Sequence, residues 1–279
     1  MSSTQDLDYP RILFQYNNGF LVSNIMFTAC ELGVFGLLLA SEGSLSSDAI
    51  AERLGTSVSG MERLLDACVG LKLLEVEMKT FYRNTELSNL YLTKSSPKSQ
   101  YHNLMYYSKT VYLCWHYLTD AVRDGKNQYE RAFGMSSEDI FGALYRSEEE
   151  MIQFMDSLNA FWSICGRDVI AAFDLSPFTV IYDLGGCAGG LAQECISLYP
   201  KSTVTIYDLP KVVQVAKERF VLPEEHRITF HEGKLGLFCV CSYAKKNVLK
   251  GPCFMITESH EQLNKCFNHS YYVRLHSLL

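Results

Sequence analysis

Two carboxylates bracket a run of glycines in the second half of the chain. Asp183 is followed by Leu184-Gly185-Gly186-Cys187-Ala188-Gly189-Gly190, and Asp208 stands 25 positions after the first acid. The apolar run Thr179-Val-Ile-Tyr-Asp183 reads as a strand, Leu191 to Leu198 as a helix, and Thr203-Val-Thr-Ile-Tyr207 as a second strand with Asp208 at its carboxyl end. Glycines belong in such a turn for a mechanical reason. The chain must turn sharply from strand into helix while a ligand approaches its backbone, and side chains there would fill the ligand's space. A carboxylate at the end of the following strand can accept hydrogen bonds from both hydroxyls of an adenosine ribose. The chemistry is that of a nucleotide-type cofactor site.

Two cofactor classes compete for it. A dinucleotide turn carries glycine where Cys187 stands, and it lays a pyrophosphate on the helix N-terminus. Asp183, just ahead of the turn, would repel that pyrophosphate yet suit the charged amino end of a cationic ligand. S-adenosylmethionine meets those conditions better.

The rest of the chain must position this segment. With 279 residues, nearly half of them apolar, one or two globular domains with a sizeable core are expected, and two is the better fit. The net charge of −6 argues against constitutive nucleic-acid binding, which needs a concentrated basic face. The ten cysteines are spread along the chain without a secretory signal, so reduced, mostly buried thiols and a cytoplasmic location are expected. Gly19 to Ala40 is apolar enough in length for a membrane span, but Asn24, Thr28 and Glu31 interrupt it. Leu21, Ile25, Ala29 and Leu32 recur at helical spacing, which favours a helix packed on another helix or on a subunit partner, with no membrane.

The N-terminal half reads as helices with a small hairpin. Pro10 to Ala40 is helical by pattern, broken at Ser41-Glu-Gly-Ser44. Asp48 to Leu54 is a short helix closed by Gly55, and Ser59-Gly-Met-Glu62 is a capping box that opens a helix through Leu71. Leu74 to Met78 and Phe81 to Arg83 alternate like two strands about Lys79-Thr80, which completes a winged-helix outline. DNA binding is argued down by the second helix, whose one basic residue is Arg63 and whose Met61, Leu64, Leu65, Cys68 and Leu71 form a broad apolar surface. Helical patterns then run from about Tyr101 to Asp124 and from Ser137 to Phe173, both crowded with aromatics.

Several stretches resemble one family closely: Asn18-Gly-Phe20, Ala29-Cys-Glu-Leu-Gly-Val-Phe35, Met61-Glu-Arg-Leu-Leu-Asp66, Phe81-Tyr-Arg-Asn-Thr-Glu86, Tyr145-Arg-Ser147 and Asp183-Leu-Gly-Gly186. They are similar to the two-domain O-methyltransferases that use S-adenosylmethionine, over about Tyr9 to Gly233. The resemblance implies a mainly α N-terminal winged-helix dimerisation domain plus an incomplete α/β Rossmann-like methyltransferase domain. It divides the chain into a dimerisation domain (1–98), a helical linker and substrate-wall region (99–178), a partial cofactor domain (179–233) and a divergent tail (234–279). It further implies that Tyr145, Trp162, Asp183, Gly185, Gly186 and Asp208 line the cofactor site. Tyr106 and Phe154 would be substrate walls, for N-acetylserotonin or a similar hydroxyindole. The implied assembly is a homodimer, or a heterodimer with a full-length enzyme.

The likeness stops after Ile228-Thr-Phe-His-Glu-Gly233, where the family carries Gly-Asp-Phe and this chain has Gly233-Lys234-Leu235. The family's Leu-His-Asp-Trp motif, whose histidine is the general base, has no counterpart, so no catalytic residue is assigned. His260 is expected to be a solvated tail residue rather than a substitute. Cys239, Cys241, Cys253, Cys266 and His269 lack the paired spacing of a metal cluster, and no metal is expected. The fourth strand of a full cofactor sheet is expected to be missing, which leaves Thr179 to Asp183 as an exposed edge unless the tail replaces it; Leu235 to Tyr243 is apolar enough to pair there, and Cys253 to Thr257 reads as another strand. The overall expectation is an O-methyltransferase impaired by truncation, or a non-catalytic dimerisation partner of a full-length enzyme.

Overall fold

The computed structural model describes residues 9–134, 142, 144–172, 174–221, 225–233 and 248–250. The chain divides into two compact units, Met1–Lys109 and Thr110–Leu279.

In the first unit, α1 (Tyr9–Leu32) and α2 (Val34–Leu39) replace the single helix expected over Pro10 to Ala40. The break falls at Gly33, which takes φ 84°. That left-handed conformation is cheap for glycine alone, so the stop signal was one glycine inside an otherwise helical pattern. β1 (Leu45–Ser46) leads into α3 (Ser47–Leu54), where the Ser46 hydroxyl accepts the Ala49 N–H and Gly55 ends the helix at φ 65°. α4 (Val58–Gly70) is capped by Ser57, which accepts the Gly60 N–H, and not by Ser59 as the capping-box reading had it. β2 (Leu74–Glu77) and β3 (Phe81–Asn84) form the expected antiparallel hairpin, turning through Met78 and Lys79, both at positive φ. β1 adds a third strand beside β3 that a two-residue segment gave no pattern to reveal.

The core of this unit explains why α4 carries so little charge inward. Met61, Leu65 and Cys68 are buried with Val34, Phe35, Ile50, Leu74 and Tyr82. The helix thus spends its apolar face on the core, and the Tyr82 hydroxyl donates to Asp66 Oδ1 at 2.8 Å. α5 (Glu86–Tyr91), capped by Thr85, and α6 (Tyr101–Tyr106) close the unit. The stripe on α1 packs only in part: Ala29 is buried and Ile25 half-buried against the core, whereas Leu21 and Leu32 are exposed. Ile12, Leu13, Phe14, Tyr16 and Phe20 are exposed as well. Among the described residues no helix is long and apolar enough to cross a membrane.

The helix expected from Tyr101 to Asp124 is four pieces. After α6 comes a π-helical turn (Tyr107–Val111), then α7 (Tyr112–Trp115) and α8 (Leu118–Asp124), which ends on left-handed Gly125. α9 (Tyr129–Phe133) follows. The long α10 (Glu148–Ala171) starts at Ser147, whose hydroxyl accepts the Glu150 N–H. The stretch from Ser137 to 141, read as part of this helix, lies outside the described residues.

The second unit's sheet is parallel, in the order β6-β5-β4-β7. Its strands are β4 (Val180–Leu184), β5 (Thr203–Asp208), β6 (Ile228–Glu232) and β7 (Val248–Lys250). Between them run α11 (Gly190–Leu198) and α12 (Pro210–Arg219). Alternate residues Ile181, Val204, Ile206 and Ile228 turn to one face and pack with Trp162 and Ile170 of α10 and Leu191, Ala192, Cys195 and Ile196 of α11. β4 is not the bare edge expected of it. Val248–Lys250 pairs with Tyr182, Asp183 and Leu184, supplying the ladder partner that the short apolar strand requires. Leu235 to Tyr243, expected at that place, and Cys253 to Thr257, read as another strand, lie outside the described residues.

Candidate cofactor site

β4 and β5 run side by side with Asp183 opposite Ile206 and Leu184 opposite Tyr207, which brings the turn after β4 against the end of β5. The Gly185 N–H donates to the Tyr207 carbonyl at 2.8 Å, fixing the start of the turn on the neighbouring strand. Gly185, Cys187 and Gly189 take φ of 74°, 52° and 81°, so the chain reverses through three left-handed residues before α11 begins.

The glycines do different jobs. A Cβ on Gly185 would meet nothing within 4 Å, so this glycine borders open space. On Gly186 it would lie 2.6 Å from Asp183 Oδ2 and 3.0 Å from Ile206 Cγ2. On Gly190 it would lie 2.8 Å from Asn159 Oδ1 and 3.2 Å from Trp162 Cβ. Gly186 and Gly190 therefore let the turn settle onto the sheet and onto α10, and Gly185 leaves room above. Reading all of these glycines as space for a ligand was too simple, because spacing in the sequence does not say which way a Cβ would point.

Both acids sit at this turn, buried. Asp208 is 8 % exposed, and its oxygens accept from backbone: Oδ2 from Cys187 N–H at 2.9 Å and Oδ1 from Leu209 N–H at 2.7 Å. Burial raises its carboxyl above the usual range, while these two bonds pull it back. Asp183 is 2 % exposed, and neither of its oxygens has a hydrogen-bond partner. Burial, and then the Asp208 carboxylate beside it, push Asp183 up to about 7. The same neighbourhood, burial first and Asp183 second, pushes the Cys195 thiol up to about 11.

The other sequence-predicted residues fall in two places. Trp162 is buried on α10 against Gly190, which puts it beside the turn. Tyr145 and Phe154 meet edge to face, ring centres 6.0 Å apart, at the start of α10. Tyr106, buried at the end of α6, belongs to the first unit. Sequence reasoning missed the roles of Cys187, Leu209 and Asn159. For Cys187 a signal existed, since a side chain in a glycine's place of a tight turn marks a backbone position under strain. The other two had none. Among the described residues no cluster suited to a metal ion occurs, and the six cysteines are not joined in disulfides. His260 and the tail cysteines lie outside the described residues.

A buried carboxylate without a partner, next to open space over Gly185, is a place that a cation would satisfy and a pyrophosphate would not. The donor set therefore fits a cationic, ribose-bearing cofactor.

Comparisons with known proteins agree with this outline. A family model described as an O-methyltransferase domain matches residues 115–240, and one described as an O-methyltransferase dimerisation domain matches residues 14–94. The chain is 76 % identical over 236 residues to acetylserotonin O-methyltransferase of Gallus gallus, covering 84 % of this chain and 68 % of that protein. With the enzyme of that name from Homo sapiens the identity is 52 % over the same lengths. The crystal structure of human N-acetylserotonin methyltransferase in complex with SAM superposes with a TM-score of 0.78, over 84 % of this chain and 68 % of that one. The buried acids and glycine turn of the second unit, the winged-helix core of the first and these likenesses together establish that the chain belongs to the two-domain O-methyltransferase family, beside the acetylserotonin O-methyltransferases.

Proposed function

We propose that this chain binds S-adenosylmethionine at the turn after β4, as a methyltransferase whose acceptor is the hydroxyl of N-acetylserotonin or a similar hydroxyindole. The observation that carries the reading is Asp183, a fully buried carboxylate with no partner, set beside the open backbone of Gly185 and the end of β5. Each Asp208 oxygen already accepts one backbone N–H and keeps further lone-pair capacity for a ribose hydroxyl. Gly185 gives the ligand its approach, and Gly186 holds the turn close over Asp183. Trp162 and Tyr145 offer aromatic faces to a cation, and Tyr106 and Phe154 are the apolar walls assigned to the acceptor ring. The corresponding division of labour is dimerisation in 1–98, substrate wall in 99–178 and cofactor in 179–233, followed by the tail 234–279.

Bound S-adenosylmethionine supplies a methyl group on a positively charged sulfur. The acceptor's hydroxyl has an ordinary pKa of about 10, so it attacks slowly near neutral pH unless a base takes its proton. The family's Leu-His-Asp-Trp motif does not occur in these 279 residues, and we assign no base. The chain by itself is accordingly proposed to bind cofactor and turn over slowly. Isothermal titration with S-adenosylmethionine, paired with a methyl-transfer assay on N-acetylserotonin, tests both halves. Turnover matching that of a complete family member would refute the impairment, and loss of binding on Asp208→Ala is the expected mark of the site.

A second reading, a non-catalytic subunit that pairs with a full-length enzyme, draws support from the well-packed core of the first unit and the exposed apolar side chains of α1. Co-purification of differently tagged chains tests it, and failure to pair rules it out. Cytoplasmic residence without nucleic acid or membrane contact completes the proposal, and localisation by fractionation checks it.

A further inference from the structure

Asp183 has a consequence for what the cofactor must displace. Its two oxygens lie out of solvent and unpaired beneath Gly186, whose Cα stands so close that an added Cβ would be 2.6 Å from Oδ2. The titratable groups around it lie on the elements packed against it: Asp208 on β5, which raises it, and the Cys195 thiol on α11, which it raises in turn. Both are acids. Among the described residues no cation offsets the charge that Asp183 would carry. A bare carboxylate in that position would face a second buried carboxylate across adjacent strands, an arrangement in which one of the two holds a proton. Asp208 is the worse holder, because two backbone N–H groups already stabilise its ionised form.

We infer that Asp183 keeps a proton while the site is empty and releases it when the cationic cofactor binds. This rests on the proposal that S-adenosylmethionine binds at the turn after β4. The balance is simple. The O–H bond of the Asp183 carboxyl breaks and the proton goes to solvent. The carboxylate left behind pairs with the ligand's positive charge, so the buried site stays neutral before and after. A neutral ligand of the same shape gains no such partner and must leave the proton in place.

Isothermal titration of the full chain with S-adenosylmethionine, in two buffers of different ionisation enthalpy, reads the proton directly. At about pH 6 the apparent enthalpies should differ by an amount corresponding to release of most of one proton, and at about pH 8 by much less. Below about pH 7 the dissociation constant should rise by up to tenfold per pH unit, and flatten above. Asp183→Asn should abolish the difference between buffers and the pH slope. The variant subtracts any proton taken up or lost by the ligand or by other groups. Binding with no proton release at about pH 6 in the unaltered chain overturns this inference and leaves the cofactor site standing. Absence of binding at every pH overturns both.

Discussion

Replacing Asp183 by asparagine should change how the free protein's stability depends on pH. In the unfolded chain this carboxyl titrates at its ordinary 3.8, and in the folded chain burial and Asp208 raise it to about 7. The folded state therefore holds the proton more tightly than the unfolded state. Below about pH 4 both states are protonated and the residue is neutral toward folding. As the pH rises from there to about 7 the unfolded state gains by ionising while the folded state does not, so stability falls throughout that window and levels off above it. A rise of about three pH units at about 1.4 kcal/mol each makes the total near 4 kcal/mol. For a chain of this size that is a drop of roughly 10 °C in melting temperature. Asparagine keeps the shape and removes the titration, although its unpaired amide would cost about 1–3 kcal/mol at every pH. The test therefore lies in the slope rather than the offset. Thermal denaturation followed by circular dichroism, at steps from about pH 4.5 to about pH 8.5, should show the difference between variant and parent growing with pH. Parallel curves would show that Asp183 ionises normally, and the account of the buried pair would be wrong.

Other substitutions separate space from strain in the turn. Gly185→Ala meets no atom, so it should cost about 1 kcal/mol through its left-handed backbone, while S-adenosylmethionine affinity falls tenfold or more by titration. Gly186→Ala, pressed on Asp183 and Ile206, should instead lower the melting temperature by several degrees, reflecting about 1–3 kcal/mol of overpacking. Tyr82→Phe removes the hydroxyl bond to Asp66 and should cost about 1 kcal/mol in chemical denaturation, with cofactor affinity unchanged because the pair lies in the first unit. Leu13→Glu with Phe14→Glu places charge on the exposed apolar part of α1. It should reduce self-association in light scattering without changing the circular dichroism spectrum, and an unaltered mass would remove α1 from the interface.

Much of this protein was legible in its residues because the signals were local. Strand, glycine turn, helix and carboxylate from Val180 to Asp208 follow from period-two and period-3.6 patterns and from what glycine permits, and the structure moves their limits by a residue or so. The same holds for α3 with its Gly55 stop and for the hairpin of β2 and β3. Family membership was legible too, and relatives 76 % and 52 % identical agree with the resemblance read from the motifs. Tertiary structure alone decided the rest. Whether Gly185 or Gly186 borders open space depends on which way each Cα faces relative to Ile206, which β5 brings there. Val248–Lys250 as the partner of β4 is a nonlocal pairing that no periodicity announces. The charge state of Asp183 was beyond reach for the same reason. A sequence shows that two aspartates exist 25 positions apart, but desolvation and mutual repulsion arise only when parallel strands set them side by side in a dry core.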